Sequence, residues 1–292
     1  MNTDYRDNPF AAFGSTGKAG VDLAQLFVTP SLAYKPVPDH AFGAAVTFAY
    51  QQFEAKGLSA FDNPFFTSDP GSVTNNGKES GSGWGLKLGW LGKLGADLSL
   101  GVSWSSRIDT DTFDKYSGLF AEQGGFDIPE NYAAGLAWQV SQALTLAADW
   151  QHIRYSEIKS VGNPLQNLLQ GNRLGTDDGG GFGWDDVDVA KLGLVYAVSP
   201  ELTLRAGYSH ASQAVPDDQT LFNILAPGVI RDHVSLGASR KVGSAGELTV
   251  AYTHGIEETV SGNNSIPLAF GGGEADIHLA EDIVGVAWQG SF

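Results

Sequence analysis

Five cations stand out in this sequence as groups able to hold an anion: Lys87, Arg107, Lys191, Arg205 and Arg231. Each falls on the polar side of a segment in which apolar and polar residues alternate, so each points away from that segment's apolar face. A cation in a poorly hydrated chamber binds a carboxylate through short, charge-assisted hydrogen bonds. The competing use is internal pairing with acids such as Asp149 or Glu257. A second group is apolar. Leu58, Phe61, Phe65 and Phe66 lie in one long stretch between alternating segments, and Tyr116, Leu119, Phe120 and Phe126 lie in the next. Val161, Leu165, Leu168 and Leu169, and then Leu221, Phe222, Ile224 and Leu225, make two similar sets. Exposed apolar clusters mark binding surfaces, unless the loops simply pack on one another.

Other arrangements carry less chemistry. Asp177, Asp178, Asp185, Asp186 and Asp188 surround Gly179–Gly181, and calcium takes several oxygens from such loops. Their spacing fits no EF-hand, and a solvated acidic loop explains them equally, so no metal ligand set is assigned. Ser209 and His210 are neighbours and face opposite sides of a strand. No Gly-x-Ser-x-Gly, phosphate loop or His-Glu-x-x-His pattern is present, so the reading is not an enzyme and needs no cofactor.

The elements that position these residues are strands. Asp97-Leu98-Ser99-Leu100, Ala143-Leu144-Thr145-Leu146, Glu201-Leu202-Thr203-Leu204 and Glu247-Leu248-Thr249-Val250 repeat one strand start. Along the second, Leu144, Leu146, Ala148 and Trp150 make an apolar face, while Thr145, Ala147, Asp149 and Gln151 are small or polar. The pattern predicts about eleven strands, near 22–34, 41–55, 82–93, 97–109, 130–140, 143–157, 187–198, 201–213, 230–241, 246–259 and 279–292. Short turns alternate with long loops over 56–81, 110–129, 158–186, 214–229 and 260–278. That alternation, with aromatics near the strand ends, predicts an all-β chain: a transmembrane antiparallel β-barrel, one domain over 1–292.

Composition agrees. Only 17% of residues are charged, acids outnumber bases 33 to 17, and the net charge of −16 argues against nucleic acid. There is no cysteine, and no apolar run is long enough for a membrane-crossing helix.

The last strand, Ile283-Val284-Gly285-Val286-Ala287-Trp288-Gln289-Gly290-Ser291-Phe292, resembles the carboxy-terminal signal of outer-membrane barrels, with Gly290 where a larger residue is usual. With Asp127-Ile128-Pro129-Glu130-Asn131-Tyr132, Phe222-Asn223-Ile224-Leu225-Ala226-Pro227-Gly228 and Phe270-Gly271-Gly272-Gly273-Glu274-Ala275, the chain resembles the FadL/TodX family of outer-membrane transporters of hydrophobic compounds. The resemblance implies a fourteen-stranded barrel with an amino-terminal plug, of which about eleven strands are expected here. Signal peptide, plug and first strands would then lie upstream, leaving sheet edges near 22–34 and 279–292. It further implies a monomer in the bacterial outer membrane, contacts with membrane lipid and lipopolysaccharide, and recognition of Phe292 by the barrel assembly machinery. The function expected is passive transport of hydrophobic molecules, long-chain fatty acids foremost and aromatic hydrocarbons as the alternative. By resemblance the loops holding Leu58–Phe66 and Tyr116–Phe126 form the initial capture groove. The rivals are a general diffusion porin and a surface adhesin.

Overall fold

A computed structural model describes residues 2–243 and 246–290. Alternating segments become strands: β1 (Asn2–Tyr5), β2 (Ala19–Val28), β3 (Ser31–Val37), β4 (His40–Lys56), β5 (Glu79–Leu94), β6 (Leu98–Ser105) and β7 (Asn131–Gln139). They continue with β8 (Leu144–Ile153), β9 (Val187–Ser199), β10 (Leu202–Ala211), β11 (Asp232–Lys241), β12 (Glu247–Val260) and β13 (Ile277–Gln289). All are antiparallel in one sheet, ordered β1-β2-β4 and then consecutively to β13, with β3 beside β4. Neither β1 nor β13 has a second neighbour among the described residues, so the sheet is open.

The count is thirteen strands among the described residues rather than eleven. One extra strand comes from the expected strand 22–34, which is interrupted at Thr29-Pro30. Proline has no N–H to give to a ladder, yet the register is kept: Val28 faces Phe48 and Ser31 faces Ala45. The Pro30 carbonyl still accepts Val46 N–H at 3.2 Å. The other is β1, four residues too short to show alternation, which covers the start of β2 with Thr3 opposite Val21. Phe292 lies outside the described residues.

The apolar faces point outward. Leu32 (77% exposed) and Val284 (70%) stand bare, as do Trp84, Leu86, Leu192 and Leu204. A protein in water would bury such a belt, whereas lipid solvates it. The sheet curls until Phe13 near one end lies 5.8 Å from Phe270 in the last long loop. Buried hydrophobics therefore gather beneath the long loops, where Phe10, Phe53, Phe61, Tyr116, Leu165 and Leu221 belong to one core.

At the feet of these loops a polar device recurs. Trp150 Nε1 and His152 Nδ1 both lie 3.0 Å from Asp188 Oδ1. Tyr208 and His210 meet Asp232 Oδ1 at 2.5 and 2.8 Å, and Tyr252 and His254 meet Asp282 Oδ1 at 2.6 and 2.8 Å. Each aromatic and histidine sit two residues apart on the outward face of one strand. The aspartate sits directly opposite the histidine on the strand that returns from the loop. Trp104 Nε1 meets Glu130 in the same way at 2.6 Å, with Arg154 completing the group at 2.7 Å.

Candidate functional site

Seven of the eight apolar loop residues expected to bind ligand come together. Leu58, Phe61, Tyr116 and Phe120 are buried in one cluster, and Phe66, Leu119 and Phe126 pack against it. Phe65 does not join; it is 78% exposed, its ring edge-on to Phe66 at 4.8 Å. The two later sets contribute Leu165, Leu168, Leu221 and Leu225 to the same core. Aromatic contacts tie the loops together: Phe61 meets Phe222 at 5.5 Å and Phe270 at 5.8 Å. The loops thus cap the sheet by packing on one another, and the cap encloses space.

Two apolar hollows share the wall residues Val21, Phe53, Phe120 and Phe182. The upper hollow, beneath Leu58, Phe61 and Phe222, is only about 40 Å³. The lower is a chamber of about 340 Å³ at the top of the inner sheet face, reaching Leu23, Phe126, Ile153 and Trp184. Its size lies at the small end of ligand pockets. Sequence reasoning missed Val21, Phe53, Phe182 and Trp184. Phe53 carried a signal, because it continues the inward face of β4 beyond Ala49 and Gln51, both buried.

Polar groups hold the wall in place. Gln51 is fully buried; its Nε2 donates to Thr110 Oγ1 at 2.8 Å and to the Phe126 carbonyl at 2.9 Å, and its Oε1 accepts from Gln25 Nε2 at 3.1 Å. Asp127 faces the chamber, but its charge is matched. Its Oδ2 accepts from Arg107 Nε at 3.0 Å and from the second guanidinium nitrogen, and its Oδ1 accepts Thr110 N–H at 2.8 Å. Arg107 also pairs with Asp109 at 3.0 Å and Glu122 at 3.9 Å. Of the five expected cations, Arg107 is the one bonded to a chamber-lining residue among the described residues, and its donors are taken by carboxylates and, through Nη1, by the Glu157 carbonyl at 3.3 Å.

The family model described as outer membrane protein transport protein (OMPP1/FadL/TodX) matches residues 1–288. The chain belongs to this family. FadL/TodX proteins are outer-membrane transporters, which places this one in the bacterial outer membrane. Its fold is similar to that of the Pseudomonas putida toluene transporter TodX, with a TM-score of 0.69 at 18% identity over 100% of this chain and 76% of that one. It is also similar to a Pseudomonas aeruginosa FadL homologue, with a TM-score of 0.66 at 17% identity over 98% and 71%. No curated protein sequence matches it.

The other cations of this FadL/TodX chain are dispersed. Lys191 Nζ donates to Gln151 Oε1 at 3.0 Å, and an Arg205 guanidinium nitrogen donates to Ser239 Oγ at 2.5 Å. Arg231 precedes β11, and its guanidinium meets the Ala211 carbonyl and His210 Nε2, on the outward rim rather than over the inner face. Among the described residues Lys87 pairs with no carboxylate, and none of the five pairs with Asp149 or Glu257. Asp149 instead lies over Gly135, where an added Cβ would displace its carboxylate. The acidic loop also diverges: Asp177 accepts from Gln123, Asp186 from the Ser156 N–H, and Asp188 belongs to the His152 group.

Proposed function

We propose that this protein lets small, uncharged hydrophobic molecules, about the size of one aromatic ring, cross the outer membrane passively. The chamber carries the proposal. The apolar part of its wall is Val21, Phe53, Phe120, Phe126 and Phe182, and Arg107, bonded to the lining residue Asp127, is neutralised by Asp127, Asp109 and Glu122. A volume of about 340 Å³ is ample for a single ring, since an apolar cavity of roughly 150 Å³ already takes benzene. The similar folds of a toluene transporter and a FadL homologue are compatible with it. A fatty-acid reading keeps one observation in its favour, Lys87 on the inner face with no carboxylate partner.

The test is uptake of labelled toluene and labelled oleate by cells that lack their own transporters and produce this protein. Toluene uptake that survives Lys87→Ala supports the ring-sized conduit. Oleate uptake lost on Lys87→Ala would replace it with carboxylate capture. Uptake of neither, together with a steady ion conductance in planar bilayers, would overturn transport in favour of a porin.

A further inference from the structure

Polar side chains under the loop cap are almost all matched. Gln51, Asp127, Asn223 and Gln219 each hold two or more hydrogen bonds to named protein atoms. Those bordering the chamber differ. The Tyr155 hydroxyl and the Asn131 side-chain amide have no protein partner among the described residues, and Gln25 uses only its Nε2, which leaves Oε1 open. All three line the chamber, Tyr155 and Asn131 half-buried and Gln25 exposed.

Tyr155 is well placed to act. It sits in the turn after β8, its ring edge-on to Trp184 at 5.1 Å. Trp184 is fixed in turn by its indole N–H, which donates to Asn223 Oδ1 at 2.5 Å. Burial raises the Tyr155 phenol above its ordinary pKa, so at neutral pH it remains a protonated donor. A ligand that supplies the missing partner replaces a hydrogen bond to water with one inside a largely apolar wall. A hydroxyl donor, an amide and an open carbonyl oxygen together suit a neutral group that both accepts and donates. They offer no net charge to a carboxylate, and the Asp127–Arg107 pair beside them is already closed.

We infer that the chamber recognises hydroxyl-bearing aromatic molecules, with Tyr155 donating to the ligand oxygen while one amide oxygen, that of Asn131 or of Gln25, accepts the hydrogen bond the ligand hydroxyl donates. This rests on the proposal that the chamber holds single-ring hydrophobes, and it adds a specificity-determining set to that chamber.

The matched pair p-cresol and toluene, which differ by one oxygen, tests it. Binding of each would be measured by equilibrium dialysis on the purified full chain in detergent. The expected result is p-cresol bound roughly 3- to 10-fold more tightly, the worth of about one net hydrogen bond. Tyr155→Phe should remove most of the p-cresol preference, read as the ratio of p-cresol to toluene binding within the same variant. Asn131→Leu, which removes the amide acceptor, should narrow the gap independently. Equal binding of the two by the native chain, or a preference untouched by both substitutions, overturns the selectivity while leaving a hydrocarbon chamber standing. Binding of neither overturns the chamber itself.

Discussion

Replacing Phe120 with alanine should loosen the loop cap and join the two hollows without unravelling the sheet. Phe120 is 4% exposed and lies 4.8 Å from both Phe53 and Phe126, with Phe113 at 6.3 Å. Burying a phenylalanine contributes about 1.5–3 kcal/mol. Each close aromatic pair adds about 0.5–1.5 kcal/mol. The expected loss is therefore about 3–5 kcal/mol, the usual range for Phe→Ala in a packed core. It should fall on the loops, because two of the three rings paired with Phe120, Phe113 and Phe126, belong to its own loop, and only Phe53 belongs to the sheet. Hydrogen exchange reads this directly. The amides that close the Phe113–Gly125 turn, Phe113 N–H to the Gly124 carbonyl and Gly125 N–H to the Ala121 carbonyl, should lose roughly 100-fold or more in protection. Amides of the β7–β8 ladder should keep theirs. Toluene uptake should rise as the partition between the hollows is removed. Unchanged loop exchange, or exchange that increases equally in β7 and β8, would refute the argument that the cap is an energetically separate unit.

Arg107→Ala leaves Asp127 without its counter-ion and should destabilise the chain by about 1.5–3 kcal/mol, the worth of hydrogen bonds to a charged group. It should depress toluene and oleate uptake alike, and a loss confined to oleate would show that the guanidinium meets the ligand. Gly57→Ala should lower the melting temperature clearly. Gly57 has φ +77°, and an added Cβ would strike the Lys18 carbonyl and sit 2.6 Å from Ala19 Cα. The left-handed backbone alone costs an alanine about 1–2 kcal/mol. Asp69 gives a pH signature. Hydrogen bonds from Ser117, at 2.6 Å, and from Ser72 hold its carboxyl below the ordinary carboxylate range. A depressed folded value contributes stability above the unfolded pKa of about 3.9 and loses it as pH falls through the folded value. The melting advantage of the native chain over Asp69→Asn should thus be present at pH 6 and vanish in strong acid.

Much of the wall could be read from residue order. Leu144, Leu146 and Trp150 showed a face two residues in period, and the exposed belt is that face. The direction of Lys191 and Arg205 followed from the same parity. Two boundaries did not. Apolar alternation runs across Thr29-Pro30 as though unbroken, and only the missing N–H divides it. The polar Asn2–Tyr5 segment has no pattern to read; it becomes a strand because β2 offers it a ladder. The site was legible as a list of apolar loop residues but not as a chamber. Phe61 finds Phe222 and Phe270 across long stretches of chain, and such pairings come from how the sheet curls. Tyr155 and Asn131 looked like ordinary strand-end residues. Their interest lies in lacking partners, which only three dimensions reveal.

The aromatic–histidine–aspartate groups bear on how this protein moves. Each joins the two strands that a long loop connects, directly below the loop: β8 to β9, β10 to β11 and β12 to β13. Strand pairs normally fray from their open ends, where the connecting loop pulls on them. A side-chain clasp that spans both strands at the fraying point acts as a stop on a zipper. Any opening of the cap would load the clasp first, and the lipid-facing staves below would stay shut.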